Sequence, residues 1–226
     1  MHNILFDLDG TLTDSSLGIT RCIQYALEQL GQPVPAADDL LFCIGPPLVE
    51  SFKVLMPEEP PALARKAVAL YRERFDKVGK FENQVYDEIP ETLESLKDQG
   101  FCLFLATSKP EIFARQILDH FRLSSFFDGI YGSRLDGSLC DKGQLIGHIL
   151  MEERLVGDET LMVGDRKHDM IGARTCNIAR IGVTYGFGSE MELTEAGADY
   201  LVHAPFSITG LLSRLRQDGL PTSENS

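Results

Sequence analysis

The sequence lacks any excess of basic charge. Across 226 residues, 21 Lys and Arg stand against 34 Asp and Glu, a formal net charge of −13. With no basic field to attract a phosphate backbone or an acidic bilayer, the expectation is no nucleic-acid partner and no membrane partner. It also lacks an apolar run approaching the ~20 residues of a membrane span. Met1-His2-Asn3 leads straight into a strand pattern, without the charged region and long apolar stretch of a secretory leader. Cysteine is sparse. Cys22, Cys43, Cys102, Cys140 and Cys176 are scattered, odd in number and without a Cys-x-x-Cys pair. That spacing argues against a zinc site or a disulfide framework and suits buried thiols in a reducing compartment, so a cytoplasmic location is expected. With 43% hydrophobic residues the chain can bury a substantial core, as one domain or as a larger and a smaller one. An anionic substrate would need local cations to overcome the overall negative charge.

What is present is concentrated near the start. Ile4-Leu5-Phe6 is a short apolar run of the kind buried on both faces of a parallel sheet, and it delivers Asp7-Leu8-Asp9-Gly10-Thr11. In extended chain, positions i and i+2 point the same way, so Asp7 and Asp9 face one small space. Two carboxylates that close are costly unless a cation lies between them or one stays protonated. A lone Asp-x-Asp is usually a solvated turn. Placed directly after a buried strand and followed by Gly-Thr, it reads as a catalytic acidic pair.

After Asp14 the pattern turns helical for some seventy residues. Ser15 or Ser16 can cap a helix carrying Ile19, Ile23, Ala26, Leu27 and Leu30 at helical spacing and stopping at Gly31. Asp38 can cap a short helix ending near Gly45, Pro46 and Pro47 open another over 48–56, and Pro60 and Pro61 start a longer one that runs out near Gly79. Residues 15–85 hold 8 Lys/Arg and 9 Asp/Glu, a net of −1 against −13 for the whole chain. A near-neutral helical block interrupting an acidic chain looks inserted.

From Ile89 the texture becomes α/β. A helix over 90–99 stops at Gly100. Apolar strand runs follow at 101–106, 126–131, 160–163, 179–184 and 199–202, with helices between them. Strands alternating with helices predict a doubly wound parallel sheet. The domain expectation is therefore a catalytic core of residues 1–14 and 86–220, an all-helical cap of 15–85, and a flexible tail of 221–226.

Ligands of such sheets bind beyond the carboxyl ends of the strands. Asp7/Asp9, Thr107-Ser108 and Asp165 each follow a strand run, so one architectural rule puts them on one rim. Singly each has a structural explanation, as helix caps or solvated turns; jointly they make a site. Hard carboxylate oxygens from Asp7 and Asp165 suit Mg²⁺. Asp169, one helical turn on, faces the same ion through water or orients Lys142. Thr107, the Ser108 N–H and the following helix N-terminus suit an anion, and Lys142 adds a compact positive charge. His168 has no second His or Cys at ligand spacing and is expected outside the ligand set. A carboxylate nucleophile surrounded by metal, lysine, hydroxyl and N–H groups is what phosphoryl transfer requires.

This combination, Asp7-Leu8-Asp9-Gly10-Thr11, Thr107-Ser108, Lys142 and Gly164-Asp165…Asp169, resembles the haloacid dehalogenase superfamily. It is closest to the branch with a helical cap after the first motif, near phosphoglycolate phosphatases and cytosolic 5′-nucleotidases. The likeness extends to Ile44-Gly45-Pro46-Pro47-Leu48 and Tyr185-Gly186-Phe187-Gly188. The third motif departs from it, reading Asp141-Lys142-Gly143 where related phosphatases commonly have Lys-Pro. The resemblance implies Asp7 as nucleophile and Asp9 as acid and then base. It also implies Thr107 and Lys142 on the phosphoryl oxygens, and Mg²⁺ held by Asp7, the Asp9 carbonyl and Asp165.

The expected activity is a Mg²⁺-dependent phosphatase of a small phosphorylated metabolite, a nucleoside monophosphate ahead of phosphoglycolate. Arg21, Gly45, Pro46, Lys53 and Tyr71 are the candidate specificity residues of the cap. A sugar phosphomutase would share the core and differ in the cap. A receiver-type signalling domain also pairs acidic residues, Mg²⁺, Thr and Lys, but is about half this length and has no helical insertion. A dehalogenase would not need Asp9, and a catalytically silent binding protein would not fill every catalytic position.

Overall fold

The computed structural model describes residues 1–218, so the expected tail of 221–226 and the last two residues of the expected core segment lie outside it. Strand β1 (Asn3–Phe6) leads into the two-residue β2 (Thr13–Asp14). Helices α1 (Ser16–Gln29), α2 (Leu48–Leu55) and α3 (Pro61–Lys77) follow, then β3 (Gln84–Val85). From there helices and strands alternate: α4 (Ile89–Asp98), β4 (Cys102–Pro110), α5 (Glu111–His120), β5 (Gly129–Ser133) and α6 (Lys142–Glu152). Next come β6 (Thr160–Gly164), α7 (Lys167–Thr175), β7 (Ala179–Val183), α8 (Glu190–Glu195), β8 (Tyr200–Val202) and α9 (Ser207–Asp218).

Six strands form one sheet in the order β5-β4-β1-β6-β7-β8, every pair parallel. Strand β1 lies between β4 and β6, with Phe6 level with Leu105 on one side and Val163 on the other. It is buried on both faces because successive side chains enter different cores. Ile4 and Phe6 pack with Leu103, Leu105, Leu93 of α4 and Ile117 of α5, whereas Leu5 packs with Phe104, Met162, and Leu145 and Ile149 of α6. This two-residue alternation, with helices covering both faces, makes the sheet doubly wound. The chain runs outward from β1 to β5, then returns to build β6 to β8 on the other side. The reversal brings β1 and its neighbours to the place where such sheets bind ligands.

Helices α1 to α3 pack on one another through Ile23, Ala26 and Leu27 with Phe52, Ala64 and Ala67, in a cluster continuous with the one that holds Ile4 and Phe6. The chain enters this block at β2 and leaves it at β3, and the two pair antiparallel, Thr13 with Val85 and Asp14 with Gln84. Departure and return therefore sit side by side.

Three local expectations need correction. The third strand begins at Gly129 rather than Phe126. Residues Ser124–Phe126 make a 3-10 turn, closed by the Phe127 N–H on the Ser124 carbonyl, and the Asp128 carboxylate after it takes the Leu103 N–H at 2.8 Å. Asp38 does not cap an α-helix. Residues Asp38–Cys43 form a 3-10 helix preceded by Ala37. At α1 neither Ser15 nor Ser16 supplies the side-chain cap; Asp14 Oδ1 accepts the Ser16 N–H at 3.0 Å. The Gly100 stop is realised as expected: its φ is +79°, and the Phe101 N–H closes back onto the Leu96 carbonyl at 3.1 Å.

Candidate active site

The β1 ladder runs one residue past the strand, since the Asp7 N–H donates to the Val163 carbonyl at 3.0 Å. That bond aims the Asp7 side chain off the carboxyl end of the sheet, beside the residue that ends β6. One oxygen from each of Asp7, Asp165 and Asp169 lies within 4.8 Å of the others, and all three residues are buried. Asp165 is fixed from behind by the Phe187 N–H at 2.8 Å and, at 3.5 Å, by the Thr11 hydroxyl. Asp169 Oδ2 takes the Arg166 N–H at 3.1 Å as part of the start of α7. Gly10 is required here on two counts. Its φ is +82°, and a Cβ on it would lie 2.1 Å from Asp165 Oδ2.

Lys142, the first residue of α6, enters this acidic cluster from the other side. Its ammonium donates to the Ala106 carbonyl at 2.8 Å and sits 3.0 Å from Asp7 Oδ1 and 2.7 Å from Asp169 Oδ1. Burial alone would push the lysine down, but the Asp169 and Asp7 charges outweigh it and hold the ammonium charged above its usual range. Three carboxylates against one lysine still leave two negative charges in a buried space. Asp165 shows the consequence: burial first, then the charges of Asp169 and Asp7, push its carboxyl well above the usual range. Asp7 Oδ1 and Asp169 Oδ1 are buried without a directed hydrogen bond and meet Lys142 only as ion pairs. Hard oxygen donors, unmet lone pairs and an uncompensated charge near −2 fit a divalent cation such as Mg²⁺.

Asp9 faces a different partner. Lys109 Nζ lies 2.9 Å from Asp9 Oδ2, both side chains being nearly enclosed at 6% and 12% exposure. Lys109 reaches inward because β4 breaks register with β5 between Thr107 and Pro110, the kind of irregularity that re-aims side chains beside functional sites. Thr107 is buried, and its Oγ1 accepts the Lys109 N–H at 3.2 Å, while the Ser108 hydroxyl donates to the Cys140 carbonyl at 3.1 Å.

A cavity of about 450 Å³ opens above these groups. Asp7, Asp9, Thr107, Ser108 and Lys109 line its sheet side, and Gly45, Pro46, Tyr71 and Phe75 its helical side. Arg21 and Lys53 do not line it. Arg21 is half-exposed and bound to Glu82 at 2.7 Å, and Lys53 pairs with Glu50 at 2.8 Å on the outer side of α2. The arginines that do line it are Arg65 and Arg72 of α3 and Arg134 after β5, with Arg72 Nη1 donating to the Leu135 carbonyl at 2.9 Å. His168 lies in a smaller adjoining pocket with Lys142 and Gly143; burial, and then the Arg166 charge, hold its pKa below the usual value.

Sequence reasoning missed Lys109, Arg72 and Arg166. Arg166 is buried, bonding Glu192 at 2.9 Å through Nε and the Ile44 carbonyl through Nη1, so it ties the start of α7 to the 43–47 turn over the cavity. Only adjacency to Asp165 and to Thr107-Ser108 could have singled out Arg166 and Lys109.

Known proteins resemble this chain in sequence and in fold. A 5′-nucleotidase from Pseudomonas aeruginosa is 48% identical over 215 residues, 95% of this chain and 94% of that protein. A tyrosine-protein kinase from Mycobacterium tuberculosis is 36% identical over 201 residues, 89% of this chain and 68% of its own length. The crystal structure of a predicted phosphatase from Clostridium acetobutylicum superposes with a TM-score of 0.91 at 44% identity, covering 95% of this chain and 99% of that one. The family model of haloacid dehalogenase-like hydrolases matches residues 4–183, spanning every acidic and cationic group of the rim described above. By sequence and by architecture, this chain belongs to the haloacid dehalogenase-like hydrolases.

Proposed function

We propose that this hydrolase is a Mg²⁺-dependent phosphatase of small phosphate monoesters, with a nucleoside 5′-monophosphate as the favoured substrate and phosphoglycolate as the competitor. One observation carries the reading: Asp7 stands at the cavity floor with Lys142 at 3.0 Å and two further buried carboxylates beside it. Asp7, Asp165 and the Asp9 carbonyl would hold the ion, and Asp169 would hold Lys142 toward it. Mg²⁺, when bound, neutralises the acidic cluster and the phosphoryl oxygens. An Asp7 oxygen attacks phosphorus, and the bond to the leaving oxygen breaks as that oxygen takes a proton from Asp9. Asp9 then accepts a proton from the water that attacks the resulting acyl phosphate, which frees Asp7. Thr107, the Ser108 N–H and Lys142 hold the phosphoryl oxygens throughout, in a site where such charges act strongly because water is sparse.

The helical block of residues 15–85 acts in this reading as a cap that closes over the rim and reads the leaving group. The nucleotide preference rests on the 48% identity to the Pseudomonas nucleotidase. Transfer of the Asp7 phosphoryl to an acceptor other than water, as in a phosphomutase or as the mycobacterial relative's name describes, is the second reading. Five free cysteines are consistent with a reducing, cytoplasmic setting, and among the described residues no helix is long and apolar enough to cross a membrane.

The test is a screen of purified protein against several dozen phosphorylated metabolites, ranked by kcat/KM, with Asp7→Asn as control. Release of inorganic phosphate, lost in Asp7→Asn, is the expected outcome. Phosphate release that survives Asp7→Asn, or label passing only to a second organic molecule, would overturn the reading.

A further inference from the structure

The pairing of Lys109 with Asp9 has a second side. The same ammonium lies 4.5 Å from the centroid of the Phe75 ring, on α3 of the helical block. Phe75 is itself fixed, stacked on Tyr71 at 5.4 Å and edge-on to Phe113 at 5.4 Å. Lys109 is therefore held between a carboxylate of the sheet rim below and an aromatic face of the helical block above, at 6% side-chain exposure. The other Asp9 oxygen, Oδ1, is buried with no hydrogen-bond partner among the described residues. The orientation of the Asp9 carboxylate thus depends on one ion pair. That ion pair depends on α3, because a lysine without its aromatic roof returns to water, where an exposed pair is worth little.

We propose that Lys109 is a positioning residue: it holds Asp9 Oδ2 so that Oδ1 faces the leaving group, and it does so only while Phe75 covers it. Closure of the helical block and readiness of the acid–base group are then one event. With α3 lifted, Lys109 is hydrated, Asp9 is free to turn, and water that enters meets a disordered acid–base group. With α3 down, the cation–π contact and the desolvated ion pair strengthen each other, since both gain as water leaves.

This inference rests on the phosphatase reading given above, and the test separates the two. Single-turnover and steady-state kinetics are measured on two substrates: p-nitrophenyl phosphate, whose leaving group needs no proton, and an alkyl phosphate, whose leaving group does. Wild type, Asp9→Asn, Lys109→Met, Lys109→Arg and Phe75→Leu are compared. General acid–base catalysis contributes about 10²–10⁴-fold, so Lys109→Met should lower the single-turnover rate of leaving-group release from the alkyl ester by at least about 10²-fold. It should change the single-turnover release of p-nitrophenol several-fold at most, because that step needs no proton, whereas steady-state turnover, which also uses Asp9 as base toward water, falls on both substrates. Phe75→Leu should show the same selective loss to a smaller degree, and Lys109→Arg should restore part of the alkyl-ester rate. Circular dichroism checks that each variant is folded.

Equal losses in the single-turnover release of both leaving groups in Lys109→Met would overturn the positioning role, and so would a selective loss in Asp9→Asn with none in Lys109→Met. A selective loss in Lys109→Met that Phe75→Leu does not share would overturn the coupling to the helical block. Failure of the wild type to turn over either ester would instead sink the phosphatase reading itself.

Discussion

Gly10→Ala tests a close geometric demand of the site. Two penalties combine. An alanine at φ +82° sits in the left-handed region, which costs roughly 1–2 kcal/mol. Its Cβ would also lie 2.1 Å from Asp165 Oδ2 and 2.5 Å from Cγ. The Asp165 carboxylate has nowhere to retreat, being fully buried and held by the Phe187 N–H at 2.8 Å. Forcing an atom into such a site costs about 1–3 kcal/mol more. The sum, about 2–5 kcal/mol, corresponds to a fall in Tm of roughly 4–20 °C for a chain of this size. In the proposed metal site, displacing Asp165 should also weaken Mg²⁺ binding by about 10–100-fold, as loss of a ligand's support typically does. The comparison is Gly100→Ala, where φ is +79° and the added Cβ meets nothing within 4 Å. It shares the first penalty and lacks the second. Differential scanning calorimetry and Mg²⁺ titration of activity on both variants separate the terms. If Gly10→Ala loses no more stability than Gly100→Ala and binds Mg²⁺ as tightly as wild type, the packing of Gly10 against Asp165 has been misjudged.

Other predictions follow from the same geometry. Lys142→Met should lower kcat by about 10²–10³-fold, the usual loss when one preorganised donor is removed, with the fold checked by circular dichroism. Arg21→Ala and Lys53→Ala should leave the substrate ranking unchanged and shift kcat/KM by no more than about 2-fold, as surface substitutions do. Arg72→Ala, which opens the α3 contact to Leu135, should reorder that ranking in the same screen. Glu82 gives a pH test. Arg74, and to a lesser degree Arg21, hold its carboxyl below the usual range. A carboxyl depressed in the folded state stabilises at pH above the unfolded value and loses that contribution as pH falls through the folded one. The Tm gap between wild type and Glu82→Gln should therefore be full at pH 6–7 and shrink as the solution is acidified below about pH 4. A gap that widens on acidification would reverse the assigned sign.

The fold was legible where local pattern and final environment agree. Ile4-Leu5-Phe6 read as a strand buried on both faces, and its residues do enter two separate cores. Gly100 read as a helix stop and adopts the positive φ that such a stop uses. The third strand was misplaced because Phe126 and Phe127 are apolar for a different reason: they pack against the core from a turn. Strands β2 and β3 have two residues each, too few for any alternation to register.

Within the site, Asp7, Asp9, Thr107, Ser108, Lys142, Asp165 and Asp169 each follow an apolar run or open a helix, a position sequence can mark, although β4 itself runs on past Thr107 and Ser108 to Pro110. Lys109, Arg72 and Arg166 were not, since a Lys or Arg in a polar run is usually a solvated side chain. Their partners, Asp9, Leu135 and Ile44, lie at least sixty residues away in the chain, and nothing local announces them. Arg21 and Lys53 lie on helices of the expected cap, but they pair with Glu82 and Glu50 instead of lining the cavity.

The central claim is that the carboxylate at position 7 takes the phosphoryl group beside a divalent cation held with Asp165. The most direct measurement is rapid acid quench of the enzyme during turnover, followed by mass spectrometry of its peptides. One phosphoryl group on Asp7, absent when EDTA precedes substrate and restored by added Mg²⁺, is the predicted result. A phosphoryl group on any other residue, or one that forms equally well under EDTA, would contradict it.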